Sequence, residues 1–457
     1  MADLKAIINE MKEEPGKLLA EWIAIPSVKG ESAPNAPFGV EVRRMLDKAL
    51  SDARAMGFET RDFDGYAGDV RMGPIGVNPL AILAHLDVVP AGDGWHTDPF
   101  TATVDGNMMY GRGTEDDKGP AIAALYAMLA VAKSGLPLKR EVRLILGCDE
   151  ECGWGCMDYY TAHCDMPKTG FSPDASYPVI NTEKGILHLK LHSAPCDEGL
   201  RVLEMHVGDR ANVIPGSASA KVAGDEALCE AIAAKAAELQ MDVKARYVGE
   251  GVVEVLSTGI PGHAAFPWGA KNALGQLLTV LDPMGLKGGL HILATVVGMQ
   301  YDGSSLMIKC SDEISGELTC NMGVLRYDPE KGLDAMLDIR YPLLANPDGL
   351  MAGVRAALTE CFTVESDHHQ VPHHVASNSK LVQGLLDAYG EVTGLKKECI
   401  AIGGGTYARV LEEGVAFGAV FTDEEERAHQ ADERVNLDSL TKNIEIYAKA
   451  ILNLQNA

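Results

Sequence analysis

The sequence predicts an α/β protein in which a mixed central sheet flanked by helices is interrupted by an enlarged α+β domain. Three observations predict it. Two short apolar runs, residues 80–84 and 142–146, end in polar clusters and bracket a helical stretch at 120–133. From about Gly185 the texture changes to alternating strands and an alanine-rich helix, and near Ser377 the helical texture returns. Strand, helix and strand in that order imply a layered α/β domain, and open sheets of this kind place their sites at the carboxyl ends of strands.

In chain order, residues 1–17 alternate charged and apolar side chains as an amphipathic helix does. The runs at 80–84 and 142–146 are short and continuous enough for buried strands. The helix between them has Pro120 in its first turn and Gly135 placed to stop it. The middle region begins with a strand at 186–191 and carries a helix at 227–239. A helix at 380–393, the turn Gly403-Gly404-Gly405 and an apolar strand at 415–421 complete the chain. The expected organisation is a first domain in two parts, 1–184 and 377–457, with residues 185–376 as the insertion. At 457 residues the chain is long enough for two or three units of about 150 residues each.

Composition narrows the function. Hydrophobic residues make up 46% and charged residues 23%, as in ordinary globular proteins, so disorder is a poor reading. A net charge of -25 speaks against nucleic acid, which needs clustered Lys and Arg. No signal-type apolar core is expected at the N-terminus, and the apolar stretch at 121–132 falls short of the roughly 20 residues that cross a bilayer. Ten cysteines without an export signal read as reduced thiols of a cytoplasmic protein. Cys148, Cys152 and Cys156 recur every four residues, but structural zinc takes four closed ligands, so they read as incidental.

Five segments carry residues suited to divalent cations: His85-Leu86-Asp87, Asp116-Asp117, Glu150-Glu151, Asp174 after Pro173, and His429. Imidazole and carboxylate are the ligands of catalytic zinc. Taken singly, each is bland: a structural histidine, a solvated turn, an exposed acidic pair, a turn carboxylate, a charged surface. Their surroundings sharpen them. Asp87 stands two residues from His85, where its carboxylate can orient the imidazole. The glycine-rich segment 111–119 can aim one carboxylate of Asp116-Asp117 between two ions. Of two adjacent glutamates, one can bind metal while the other accepts a proton from water.

These motifs together resemble the dinuclear zinc exopeptidases that include aminoacylase, carboxypeptidase G and succinyl-diaminopimelate desuccinylase, and most of all the PepV-like dipeptidases. The resemblance runs from His85-Leu86-Asp87-Val88-Val89-Pro90 through Gly94-Trp95, residues 111–119, Asp149-Glu150-Glu151, Asp174, Glu183-Lys184-Gly185, His263, Asp338-Ile339-Arg340 and Gly403-Gly404-Gly405-Thr406 to His429. It implies a metal-binding catalytic domain interrupted by a lid domain. It implies Asp116 as the bridging carboxylate, His85 and Asp174 on one ion, and Glu151 and His429 on the other. Glu150 is then the general base for a water shared by the two metals, zinc by preference, with manganese or cobalt compatible with the same ligands. The choice of Asp116 over Asp117 follows the family register, not the spacing.

By the same resemblance, His263 polarises the scissile carbonyl, although Gly262 stands where the family more often has another small residue. Arg340 would grip the substrate carboxylate, helped by the backbone of Gly403, Gly404, Gly405 and Thr406, and Asn212 would contact substrate. The plainer readings are a loop histidine, an Arg340–Asp338 ion pair and a flexible turn. Four histidines, His368, His369, His373 and His374, read as an exposed loop outside the site. The expected activity is hydrolysis of dipeptides by a monomer, with a homodimer as the alternative. A deacylase or desuccinylase of N-acyl amino acids shares every metal ligand, and a catalytically silent metal-binding scaffold is the alternative of another class.

Overall fold

The computed structural model describes residues 4–456 as two compact units. One comprises the chain up to Asn181, then His374–Ile400 and Gly405 onward; the other comprises Thr182–His373 and Ala401–Gly404.

The first unit is built on a mixed sheet. Among the described residues, seven of its nine strands are β1 (Glu59–Phe63), β2 (Ala67–Met72), β3 (Leu80–His85), β4 (Val142–Gly147), β5 (Thr169–Ser172), β6 (Val179–Glu183) and β7 (Glu413–Ala416), in the spatial order β1-β2-β4-β3-β5-β7-β6, with His373–His374 and Cys399–Ile402 both pairing with β6. β3 and β4 are buried at every position, which is why they read as continuous apolar runs rather than alternating ones. β3 runs parallel to both β4 and β5, and β7 runs parallel to β5. The carboxyl ends of these strands therefore share one edge.

The principal helices are α1 (Val40–Ala55), α2 (Lys118–Ser134), α3 (Lys380–Thr393) and α4 (Leu437–Asn453). α2 is buried from Lys118 to Val131 on all sides, and its alanines let β3, β4 and α4 pack close around it. Gly135, at φ 68°, ends it in the left-handed conformation that glycine adopts without steric cost. Gly119 is needed where α2 begins, since a Cβ there would lie 2.0 Å from the Thr114 carbonyl oxygen.

The second unit is an antiparallel eight-stranded sheet. Its strands, in spatial order, are Val243–Gly249, Val252–Thr258, Ser217–Ala223, Val202–Val207, Thr319–Asp328, Gly332–Tyr341, Gly185–Ser193 and Thr363–Gln370. Burial alternates along Ser217–Ala223 and along most of Gly185–Ser193, because one face is covered by apolar side chains of helices such as Glu226–Glu238 and Ala273–Leu281.

Three elements differ from expectation. The strand at 415–421 ends at Ala416; the chain turns at Gly418, φ 76°, against the Tyr177 ring, and Ala419–Val420 pairs separately with Ala175–Ser176. The histidine run is no loop: His368 and His369 belong to the strand Thr363–Gln370 and His373–His374 forms another, because their backbone extends a sheet edge while the side chains stay largely exposed. The N-terminal helix divides into Leu4–Glu10 and Glu14–Ile23, with Pro15 opening the second; residues 1–3 of that expectation lie outside the described residues. Among the described residues no helix is long and apolar enough to cross a membrane.

Candidate metal centre and active site

Parallel strands explain how distant residues converge. His85 is the last residue of β3, Glu150 and Glu151 follow the end of β4, and Asp174 follows β5, so three neighbouring strands deliver their polar termini to one edge. Asp116 and Asp117 arrive on the segment that leads into α2. His429 comes from the long connection after β7, held at φ 63°.

The side chains form two groups, His85 with Asp116 and Asp174, and Asp116 with Glu151 and His429; within each group the potential ligand atoms lie within 4.8 Å of one another. Asp116 belongs to both. Its Oδ1 lies 2.9 Å from His85 Nε2 and its Oδ2 lies 2.9 Å from His429 Nε2. Asp174 Oδ2 is 3.7 Å from His85 Nε2, and Glu151 Oε2 is 3.0 Å from His429 Nε2.

The site draws in positive charge. Burial alone would raise Asp116, but the His429 and His85 imidazoles hold it well below the usual carboxylate range. Burial, and then the neighbouring Asp116, pushes Asp174 up to about 7. Glu150 goes well above the ordinary glutamate value through burial and Asp174, and burial with Asp116 raises Glu151. Burial disfavours the cationic form of His429, yet Asp116 and Glu151 raise it to about 11.

The residues fit a divalent cation on their geometry. His85 is fully buried, and its Nε2 has no aligned hydrogen-bond partner although a carboxylate oxygen stands 2.9 Å away. A buried nitrogen and a carboxylate oxygen in this arrangement are costly unless a proton or a cation sits between them. His85 Nδ1 lies 2.9 Å from the main-chain oxygen of Asp87, which places the proton on Nδ1 and leaves Nε2 free to ligate.

That contact corrects the role expected of Asp87. Its carboxylate is 3.6 Å from His85 Nδ1 and instead accepts the N–H groups of Glu150 at 3.0 Å and Glu151 at 3.1 Å. The carbonyl orients the imidazole, and the carboxylate orients the acidic pair. The reason is the path of the chain, which leaves β3 after His85 and turns the Asp87 side chain toward the end of β4.

Several supporting roles escaped the sequence reading. Trp154 Nε1 donates to Glu150 Oε1 at 3.2 Å, and Asp117 Oδ2 accepts the His85 N–H at 3.0 Å. The acidic Glu115 and Glu433 brace the loops around Asp116 and His429. Only the unusual density of acids in these segments hinted at such roles.

Of the remaining residues, Asn212, His263, Arg340, Gly403 and Gly404 belong to the second unit. Val213 pairs with His263 across a two-residue ribbon, and the Asn212 carbonyl accepts the Ala264 N–H at 2.9 Å. Asn321 Nδ2 lies 3.1 Å from the Ala211 and Val213 carbonyls and holds this ribbon in place. His263 Nδ1 accepts the Ala265 N–H at 3.1 Å. Arg340 is paired with Asp338 through Nε at 2.6 Å and Nη2 at 2.7 Å, and its Nη1 donates to the Gly403 carbonyl at 2.9 Å. Gly403 packs on Ala265, where a Cβ would meet the alanine methyl at 2.7 Å. Thr406 uses its hydroxyl to cap the short helix Tyr407–Val410, accepting the Ala408 N–H. Gly403 and Gly404 fall in the second unit, while Gly405 and Thr406 fall in the first.

An α/β unit with an imidazole–carboxylate cluster at its strand termini, in one chain with a separate α+β unit, has the ligand types that a metallohydrolase uses. Residues 81–453 match Peptidase family M20/M25/M40. YtjP of Bacillus subtilis (strain 168) is 37% identical over 460 residues, covering 97% of each chain. The Beta-Ala-Xaa dipeptidase of Lactobacillus delbrueckii subsp. lactis is 35% identical over 465 residues, covering 99% of this chain and 98% of that one. Human carnosine dipeptidase 1 superposes with a TM-score of 0.61 at 15% identity, covering 99% of this chain and 98% of that one, which establishes likeness of fold. The chain belongs to peptidase family M20/M25/M40 and is a metallopeptidase.

Proposed function

We propose that this chain hydrolyses dipeptides in the cytoplasm, with two divalent cations, zinc by preference, on the two groups that share Asp116. The observation that carries the proposal is the Asp116 carboxylate, one oxygen at each imidazole, with Glu150 outside both groups. Cations held there would supply Lewis acidity and would lower the pKa of a water toward roughly 7.

The chain's own residues do the rest. Glu150, steadied by Trp154, takes a proton from the attacking water as its oxygen bonds to the peptide carbonyl carbon. His263 keeps its proton on Nε2, because Nδ1 accepts from Ala265, and so donates to the carbonyl oxygen as negative charge develops. Glu150 then passes its proton to the leaving amine as the C–N bond breaks. Arg340 retains two N–H groups beyond its three bonds to Asp338 and Gly403, and these suit the free carboxylate of a dipeptide. Asn212 and the backbone of Gly403, Gly404, Gly405 and Thr406 are assigned to the same substrate.

Ten free cysteines suit a reducing compartment, and an enlarged second unit carrying its own His263 suits a monomer. The dipeptidase name of the Lactobacillus relative favours an unblocked substrate over an N-acyl amino acid. The test is a zinc-loaded assay of unblocked dipeptides beside their N-acetylated forms. Faster turnover of the free dipeptides is expected; a preference for the acetylated set overturns the assignment in favour of a deacylase.

A further inference from the structure

The segments that carry Asp116 and His429 hold each other through a crossed pair of carboxylates. Glu433 follows His429 in the chain and is fully buried. Its Oε1 accepts the N–H groups of Gly113 at 2.9 Å, Glu115 at 2.9 Å and Asp116 at 3.1 Å, while Oε2 takes Arg112 Nη1 at 2.5 Å. Glu115 does the converse. Its carboxylate accepts the Arg427 N–H at 2.9 and 3.1 Å and the Ala428 N–H at 2.9 Å, directly before His429.

Neither glutamate belongs to the two candidate ligand groups. Both accept backbone amides, Glu433 the Arg112 side chain as well, and several N–H groups converging on one carboxylate define position. More than three hundred residues separate the two segments along the chain, so no local turn can set their spacing. His429 also sits at φ 63°, a conformation that a histidine keeps when its surroundings impose it.

We propose that Glu115 and Glu433 are positioning residues for the metal centre, Glu115 aligning the His429 group alone and Glu433 aligning both groups through Asp116. The asymmetry follows from connectivity. Glu433 grips the Asp116 amide, and Asp116 serves both groups. Glu115 grips only the approach to His429, which serves one. This rests on the two-cation reading above.

The experiment titrates the chelator-stripped chain with zinc chloride in a calorimeter and follows amide hydrogen exchange at residues 427–428 before metal is added. Glu115→Ala is expected to weaken one zinc equivalent by about 10- to 100-fold and leave the other unchanged, with faster exchange at 427–428. Glu115→Gln, whose amide oxygen still accepts those N–H groups, recovers most of the affinity. Glu433→Gln weakens both equivalents, since one oxygen cannot serve Arg112 and three amides together. Equal weakening of both equivalents in Glu115→Ala, or of neither, overturns the proposal. Should Glu115→Ala not fold, Glu115→Ser, too short to reach those amides, is read in the same way. A wild-type chain that binds a single equivalent overturns the two-cation reading and the proposal with it.

Discussion

Two carboxylate settings in this molecule behave in opposite ways. Asp338, in the second unit, is fully buried between Arg340 and His188; burial alone would raise it, but His188 and Arg340 hold it down to about 2. Asp174, in the first unit, shares its neighbourhood with Asp116, Glu150 and Glu151 against two imidazoles, and is pushed up to about 7. Asp338 is fully buried, and Asp174 is largely but not wholly so, its side chain 20% exposed. The difference is the supply of positive charge: one setting carries its own guanidinium, while the other has more anions than the chain compensates. A carboxylate cluster of the second kind is where a cation gains most, and a pair of the first kind is a finished structural unit with part of its guanidinium left over.

The comparison breaks most visibly if the cluster is functional without metal. Stripping the protein with a chelator should abolish dipeptide hydrolysis, and added zinc or manganese should restore it; undiminished turnover in verified metal-free protein would remove the cation from the account. Next in size, Glu150→Ala should lower turnover by roughly 100- to 10,000-fold while elemental analysis finds the metal content nearly unchanged. Normal turnover in that variant would strike Glu150 from the role of base.

The finished pair is tested by stability. Asp338→Asn leaves Arg340 buried without its anion and should cost about 3–5 kcal/mol in urea unfolding. The sign of the pH effect follows from the lowered pKa. Asp338 contributes stability above its ordinary value of 3.8, and that contribution is lost as pH falls through about 2. The variant should therefore show a shallower loss of stability between pH 4 and 2 than the wild type. An equal slope in both proteins would assign acid unfolding to other groups.

Much was legible along the chain because its elements carry strong local signals. β3 and β4 are buried at every position and so appear as unbroken apolar runs, and α2 begins and ends near the proline and glycine that mark it. The helix Lys380–Thr393 lies where its periodicity placed it. The strand at 415–421 and the histidine run were misjudged for a common reason. A positive φ at Gly418 packed under Tyr177, and an edge strand whose side chains face solvent, leave no apolar pattern to read.

The residue types of the site, and their recurrence just beyond predicted strands, belong to the sequence alone. So does the family resemblance, because ordered short motifs survive without any coordinates. Only tertiary structure decided which atoms meet. Parallel pairing of β3 with β4 and β5 brings His85, Glu151 and Asp174 to one edge, and one turn after His85 gives the imidazole to the Asp87 carbonyl rather than to its carboxylate. Glu115 and Glu433 are ordinary surface acids by composition. They become crossed braces because folding sets against each carboxylate the backbone amides of a distant part of the chain, with Glu433 fully buried and Glu115 partly so.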